Sequence, residues 1–177
     1  MHLFLQLGGH YASYTYITPF LQNVTGFDSN LLTLLLFAYG VIGIVGNFVG
    51  GLLAERNVSR AVVTTAIILF LSLITLGLFG SFKVMALIGL IVWALAWGMA
   101  PIIITLWLAS ANDSPETAQS MYTTVYQFSI SLGSFAGGLV VDHVNLIGSM
   151  LLGVLLTLGT IVMSSIFVSK EKRNNMV

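Results

Sequence analysis

A stripe of polar side chains lies within the first apolar stretch of the chain. Gln6, His10 and Tyr14 follow one another at intervals of four residues, so a helix places them on one face. Their amide, imidazole and phenol groups can donate and accept hydrogen bonds without carrying a charge. Polar groups at membrane depth usually face a bundle interior or a wet cavity. The stripe therefore predicts either the lining of a solute path or hydrogen bonds between neighbouring helices.

Aromatic and polar residues recur in two later apolar stretches. Trp93, Trp97 and Pro101 follow one another at intervals of four, which predicts an aromatic wall. A kink is also expected, because proline has no N–H to donate to the Trp97 carbonyl. Tyr126 and Gln127 are further candidates for contact with a solute, and plain packing is the alternative for both groups. The candidate cavity residues are Gln6, His10, Tyr14, Trp97, Tyr126 and Gln127.

The composition places these residues in a membrane protein. The chain is 57% hydrophobic and 7% charged, whereas a typical soluble domain is about 25% charged. Six basic residues form no phosphate-binding patch, so no nucleic-acid partner is expected. There is no cysteine, no Asp, Glu, Lys or Arg inside an apolar stretch, and no catalytic or metal-binding motif. We therefore expect neither an enzyme nor a bound metal or cofactor.

Apolar stretches of the length that spans a bilayer, about 20 residues, define the fold class. The sequence predicts an all-α polytopic membrane protein with a transmembrane domain at 1–169 and a tail at 170–177. The six predicted transmembrane helices are 3–21, 31–53, 61–79, 84–108, 120–141 and 146–167. Asp28-Ser29-Asn30 ahead of the second helix, and Ser114 followed by Pro115 ahead of the fifth, predict N-terminal caps.

The basic residues predict the orientation of these spans. Arg56 and Arg60 follow the second span, and the three basic residues of 170–173 follow the sixth. Only Lys83 lies on the opposite side, which is a split of five to one. Basic loops face the cytoplasm, so both termini and the loop around Asp113 are expected to be cytoplasmic.

Glycines recur at helical spacing in the second and fifth spans. Small residues on one helix face allow two backbones in a bilayer to approach closely, so these glycines are predicted to lie at helix contacts. A short charged loop follows the second span. The packing and loop residues are Gly40, Gly43, Gly46, Gly50, Gly51, Glu55, Arg56, Arg60, Gly133, Gly137 and Gly138.

This loop and three other segments resemble a known family. Its loop signature is roughly G-x-L-A-D-R-x-G-R-R; Gly51, Leu53, Ala54, Arg56 and Arg60 match it, while Glu55, Val58 and Ser59 depart from it. Segment 9–21, Trp97-Gly98, and Gln127 with 133–138 are also similar to the family. The chain resembles the C-terminal six-helix half of a major facilitator superfamily transporter, in the branch of bacterial drug and sugar efflux permeases that includes the arabinose-efflux type.

The resemblance implies a fold and a function. Family members have twelve spans in two halves, each made of three-plus-three inverted repeats, and bind solute between the halves. The chain is then expected to move a drug-like compound or sugar outward by alternating access, coupled to protons. An N-terminal six-helix half would be the missing partner, and the coupling acid would lie there. The alternative is a truncated relic or a membrane assembly partner that transports nothing.

Overall fold

The computed structural model describes residues 2–110 and 114–174. Long helices joined by short connections make up this part of the chain, and no strand is assigned in it. The helices are α1 His2–Tyr14, α2 Ile17–Asn23, α3 Ser29–Arg56, α4 Val58–Phe79, α5 Lys83–Ser110, α6 Pro115–His143 and α7 Leu146–Asn174. The predicted all-α class is confirmed.

The first predicted span is not one continuous helix. The amide of Tyr16 donates to the carbonyl of Ser13, only three residues back, at 3.1 Å, and the helix restarts at Ile17. Pro19 contributes to the break because it has no N–H to donate to the carbonyl of Thr15. The span therefore consists of α1, of 13 residues, and α2, of 7 residues. Five helices of the described chain are long and apolar enough to cross a membrane on their own.

Side-chain caps fix the beginnings of α3, α4 and α6, among others. The Leu31 amide donates to Asp28 at 2.9 Å, and Ser114 caps α6, whose first residue is Pro115. Both caps were predicted and are confirmed. Asn57 alone joins α3 to α4, and its side chain accepts from the Arg60 amide at 2.7 Å.

Helix α7 is longer than the predicted sixth span. It continues to Asn174, so the tail expected at 170–177 begins inside a helix. Helix α5 also continues through Pro101 without interruption. The predicted loop around Asp113 falls in 111–113, outside the described residues.

The helices pack with an internal two-fold pattern. Helix α3 packs on α5 as α6 packs on α1, and α4 packs on α5 as α7 packs on α1. Helices α4 and α7 also pack on each other. Exchanging the first three spans with the last three maps this set of contacts onto itself. Because each unit has three spans, the second unit crosses the membrane in the opposite sense, which is the inverted repeat that the resemblance implied.

Glycines lie where α3 crosses α5. A Cβ added to Gly50 would lie 2.8 Å from the Met99 Cα, and one added to Gly46 would clash with the Leu95 carbonyl. At Gly43 the nearest atom would be 3.8 Å away, and at Gly40 nothing lies within 4 Å. The two backbones still meet at Gly43, because a Cβ added to Gly98 of α5 would clash with the Gly43 carbonyl. A helix contact at Gly40 stays a prediction, because no described residue lies within 4 Å of a Cβ added there.

Gly51 also has open space beside it, with nothing within 4 Å of an added Cβ. It adjoins Gly50 in sequence, and consecutive residues of a helix point about 100° apart. Gly51 therefore faces away from α5, and its role in the loop motif stays a prediction.

The corresponding glycines of α6 pack on α1. A Cβ at Gly133 would lie 2.6 Å from the Gly8 carbonyl oxygen, and one at Gly137 would clash with the Ala12 carbonyl. At Gly138 the neighbour would be the Tyr16 hydroxyl, 2.5 Å away. This contact repeats the α3–α5 contact in the second half of the internal symmetry.

Helices α3 and α6 leave the most apolar surface uncovered. Phe37 and Phe48 of α3 are 70% and 72% exposed, and Phe128 and Phe135 of α6 are 62% and 64% exposed. Such surface needs lipid or another apolar protein surface to cover it. The chain is therefore a multi-pass membrane protein, and these two helices form its least covered sides.

Candidate functional site

His10 is the centre of an aromatic cluster between α1 and α5. Its side chain is fully buried. The imidazole stacks on the Trp97 indole, with centroids 3.4 Å apart and planes 7° apart. On α1 itself, the Tyr14 ring stacks at 5.0 Å with an angle of 17°. The structure therefore brings together three of the predicted cavity residues, and it does so through ring stacking.

A hydrogen bond from Trp93 fixes the state of the imidazole. The indole Nε1–H of Trp93 donates to Nδ1 of His10 at 2.9 Å. An indole nitrogen can only donate, and an imidazolium has no acceptor nitrogen. While this bond exists, His10 is neutral and has its proton on Nε2.

Two tyrosines beside this stack link α1 to α6. The hydroxyls of Tyr11 and Tyr126 are hydrogen-bonded to each other. The Tyr11 ring lies edge-on to His10 at 4.9 Å and to Trp97 at 5.5 Å. Because Tyr11 and Tyr126 are only partly buried, this pair forms the outer side of the cluster. Tyr126 was a predicted cavity residue, and it reaches the cluster through Tyr11.

Tyr39 of α3 closes a further side of the cluster and was not predicted. Its ring lies 5.4 Å from Tyr14 and 6.1 Å from Trp93. The side chain is 6% exposed. A tyrosine within an otherwise apolar span is the sequence signal that could have identified it, since a buried phenol normally finds a hydrogen-bond partner.

Three buried polar atoms around this cluster have no hydrogen-bond partner in the described structure. They are Oε1 of Gln6, Nε2 of His10 and the hydroxyl of Tyr39. Gln6 is 1% exposed and lies one helical turn before His10. An unpaired buried polar atom costs about 1–3 kcal/mol. The cluster therefore combines stacked rings with hydrogen-bonding capacity that the described chain does not use.

Gln127 does not belong to this cluster. Its side chain is exposed, whereas Tyr126 turns towards Tyr11. Adjacent residues on a helix point about 100° apart, so Gln127 lies to one side of the rings around His10. A solute contact at Gln127 stays a prediction.

The other predicted residues lie elsewhere. Glu55, Arg56 and Arg60 are exposed at the corner between α3 and α4. A cleft of about 640 Å³ lies between the end of α5 and the start of α6, lined by Thr105, Ala109, Glu116, Gln119, Ser120, Thr123 and Thr124. Among the described residues, no group of three or more His, Cys, Asp or Glu side chains is placed to hold a metal ion.

Comparison with solved structures shows the same architecture in a transporter. The chain superposes on the POT family transporter PepTSo with a TM-score of 0.74, at 18% identity, over 93% of this chain and 35% of that one. At this identity the likeness concerns the fold alone.

Sequence relatives are efflux pumps. The purine ribonucleoside efflux pump NepI of Salmonella enteritidis PT4 is 32% identical over 165 residues, which is 92% of this chain and 42% of the pump. The NepI pump of Escherichia coli O6:H1 is 30% identical over 171 residues, or 96% of this chain and 43% of the pump. The chain thus spans less than half the length of the curated relatives it matches.

The family model for the Major Facilitator Superfamily matches residues 1–138. This segment includes the cluster around His10 and both sets of glycine contacts. Together with the internal two-fold packing, the match shows that the chain belongs to the Major Facilitator Superfamily of membrane transporters.

Proposed function

We propose that the chain is the C-terminal half of an efflux transporter for a small solute with a planar ring, working by alternating access. The observation that supports this most directly is the cluster around His10. It places stacked aromatic rings beside buried polar atoms that have no partner in the described chain.

A purine ribonucleoside has the matching chemistry. Its base presents two flat faces for stacking and an edge of hydrogen-bond donors and acceptors, and its ribose adds hydroxyls. Stacking between aromatic rings contributes about 0.5–1.5 kcal/mol beyond the burial of area. The relatives at 30% and 32% identity are purine ribonucleoside efflux pumps. Nucleosides are therefore the solute class that we propose.

A second six-helix half would complete the transporter. The chain corresponds to 42% of the length of its relative, and α3 and α6 expose the apolar faces described above. In the proposed arrangement, the N-terminal half covers part of these faces and forms the opposite wall of the solute site. Both termini of the present chain lie in the cytoplasm of a bacterial cell, on the basis of the five-to-one split of its basic residues.

Proton coupling would depend on an acid of the other half. The predicted spans of this chain contain no Asp or Glu. His10 is held neutral by the Trp93 hydrogen bond and is a poor proton carrier in that state. We assign His10 to solute binding and place the coupling carboxylate in the N-terminal half.

Export from cells tests this proposal. Cells would express the chain together with the first six spans of the Salmonella pump, and the loss of labelled inosine would be followed over time. We expect export when both halves are inserted in the membrane and a severalfold slower rate with Trp97→Ala. Gln22→Ala, an exposed glutamine of α2, is the matched control.

Binding to the chain alone provides an independent measurement. Tryptophan fluorescence of the chain in lipid nanodiscs should respond to inosine at millimolar concentration, because two of its three tryptophans belong to the cluster. If both halves insert, no inosine leaves the cells and no binding is detected, then the proposed function is wrong.

A further inference from the structure

Two of the unpartnered polar atoms lie on the same face of α1, one helical turn apart. Gln6 and His10 are 1% and 0% exposed, so bulk water does not reach them in this conformation. Neither Oε1 of Gln6 nor Nε2 of His10 has a partner in the described structure. Retaining two such atoms is costly, unless a ligand supplies the missing hydrogen bonds in part of the transport cycle.

One of the two atoms is a hydrogen-bond donor and the other is an acceptor. Trp93 occupies Nδ1 of His10, so Nε2 presents an N–H and acts as a donor. The carbonyl oxygen of Gln6 can only accept. A ligand that satisfies both must present an acceptor and an N–H side by side on one planar edge. Adenine does so with N1 and its exocyclic amine, and hypoxanthine does so with its carbonyl and N1–H.

We propose that Gln6 and His10 recognise the edge of the solute's base, with His10 donating to the acceptor of that edge and Gln6 accepting from the adjacent N–H. This inference rests on the proposed function and specifies it: the solute is selected for a donor beside an acceptor, and Trp93 is a positioning residue that holds His10 in the donating form.

The tyrosine pair of α1 and α6 determines how a solute reaches these atoms. Tyr11 lies edge-on to both His10 and Trp97, and its hydroxyl bond to Tyr126 joins it to α6. Exchanging this hydrogen bond for one to a ribose hydroxyl leaves the count of hydrogen bonds unchanged. The base then enters beside Trp97 on the side that Tyr11 covers.

Two nucleosides with the same ring and ribose test the recognition of the edge. Adenosine has the exocyclic amine, and purine riboside lacks it while keeping the ring acceptor N1. Binding to the chain in nanodiscs is followed by tryptophan fluorescence. We expect adenosine to bind about tenfold more tightly, as one missing hydrogen bond at a buried acceptor predicts. N6,N6-dimethyladenosine, which has no N–H, should bind as weakly as purine riboside.

Two variants test the proposed roles of Gln6 and His10 separately. Gln6→Met should weaken adenosine about tenfold and leave purine riboside unchanged, because only adenosine donates to Gln6. His10→Phe keeps a stacking ring but has no N–H, so it should weaken both ligands by a similar factor. Gln22→Met is the control and should alter neither.

Several results would overturn the inference. If the wild-type chain binds adenosine and purine riboside equally, Gln6 does not recognise the amine, and this holds even when the variants fail to fold. If Gln6→Met weakens both ligands equally, Gln6 acts through His10 and not on the solute. If inosine and adenosine both fail to bind at millimolar concentration, the nucleoside proposal itself fails and this inference fails with it.

Discussion

The close approach of α3 to α5 makes a quantitative prediction for Gly50. A Cβ at this position would lie 2.8 Å from the Met99 Cα and 2.9 Å from its carbonyl oxygen. Ordinary van der Waals contact begins at about 3.4 Å, so in Gly50→Ala the helices must separate locally by about 0.6 Å. Both obstructing atoms belong to the backbone, and no side chain can move aside to relieve the contact.

The expected cost follows from the steep fall of dispersion energy with distance. A gap of about 0.5–1 Å removes a quarter to a half of the dispersion energy between facing atoms. Overpacking a tight contact costs about 1–3 kcal/mol, and we expect Gly50→Ala to fall in that range. Packing is the main force between helices in a bilayer, so little else compensates for the weaker attraction.

The assay compares two alanine variants of the same helix. Unfolding of the chain in detergent micelles would be followed by circular dichroism as dodecyl sulfate is added. Gly40→Ala is the matched control, because its Cβ meets nothing within 4 Å, and it should be neutral or more stable by up to about 1 kcal/mol. If Gly50→Ala and Gly40→Ala unfold at the same denaturant fraction, the described approach of α3 to α5 is incorrect.

Three further predictions concern the second repeat, the imidazole and the topology. Gly133→Ala places its Cβ 2.6 Å from the Gly8 carbonyl and should lower stability by about 1–3 kcal/mol; stability equal to the wild type would count against the α1–α6 contact. Nitrogen NMR of histidine-labelled chain should show His10 with its proton on Nε2, and Trp93→Phe should allow the Nδ1–H form, whereas His143, whose Nδ1 lies 2.8 Å from the Leu139 carbonyl, should not change. Identical His10 signals in both proteins would contradict the Trp93 bond. A reporter fused after Lys172 should be cytoplasmic and one inserted at Gly26 external; finding both on one side would contradict the six-span topology.

Patterns within a single helix could be predicted from the sequence. Asp28 and Ser114 indicated the starts of α3 and α6, because short polar side chains before an apolar run satisfy the first free amides of a helix. Glycine spacing identified the packing face of α3, but it could not show that α5 meets Gly43, Gly46 and Gly50 and not Gly40. A face is a property of one helix, whereas the extent of a contact depends on the crossing of two.

The continuity of a span and the contacts between helices could not be predicted in the same way. The break before Ile17 was missed because counting apolar residues measures the length of a span and not its continuity. The bond from Trp93 to His10 joins residues 83 positions apart, and periodicity within either span gives no sign of it. The sequence did select His10, Tyr14 and Trp97 as cavity candidates, but it could not show that they stack on one another.

The internal two-fold pattern has a consequence for how such a chain could have arisen. A contact that lies on a two-fold axis is isologous: each partner offers the same patch to the other. Helices α4 and α7 occupy the position of such a contact, and the pair α3–α5 corresponds to the pair α6–α1. A single three-helix unit therefore possesses every surface needed to pair with a second copy of itself in antiparallel orientation. Duplication and fusion of one short gene would be sufficient to produce the present arrangement without any additional interface.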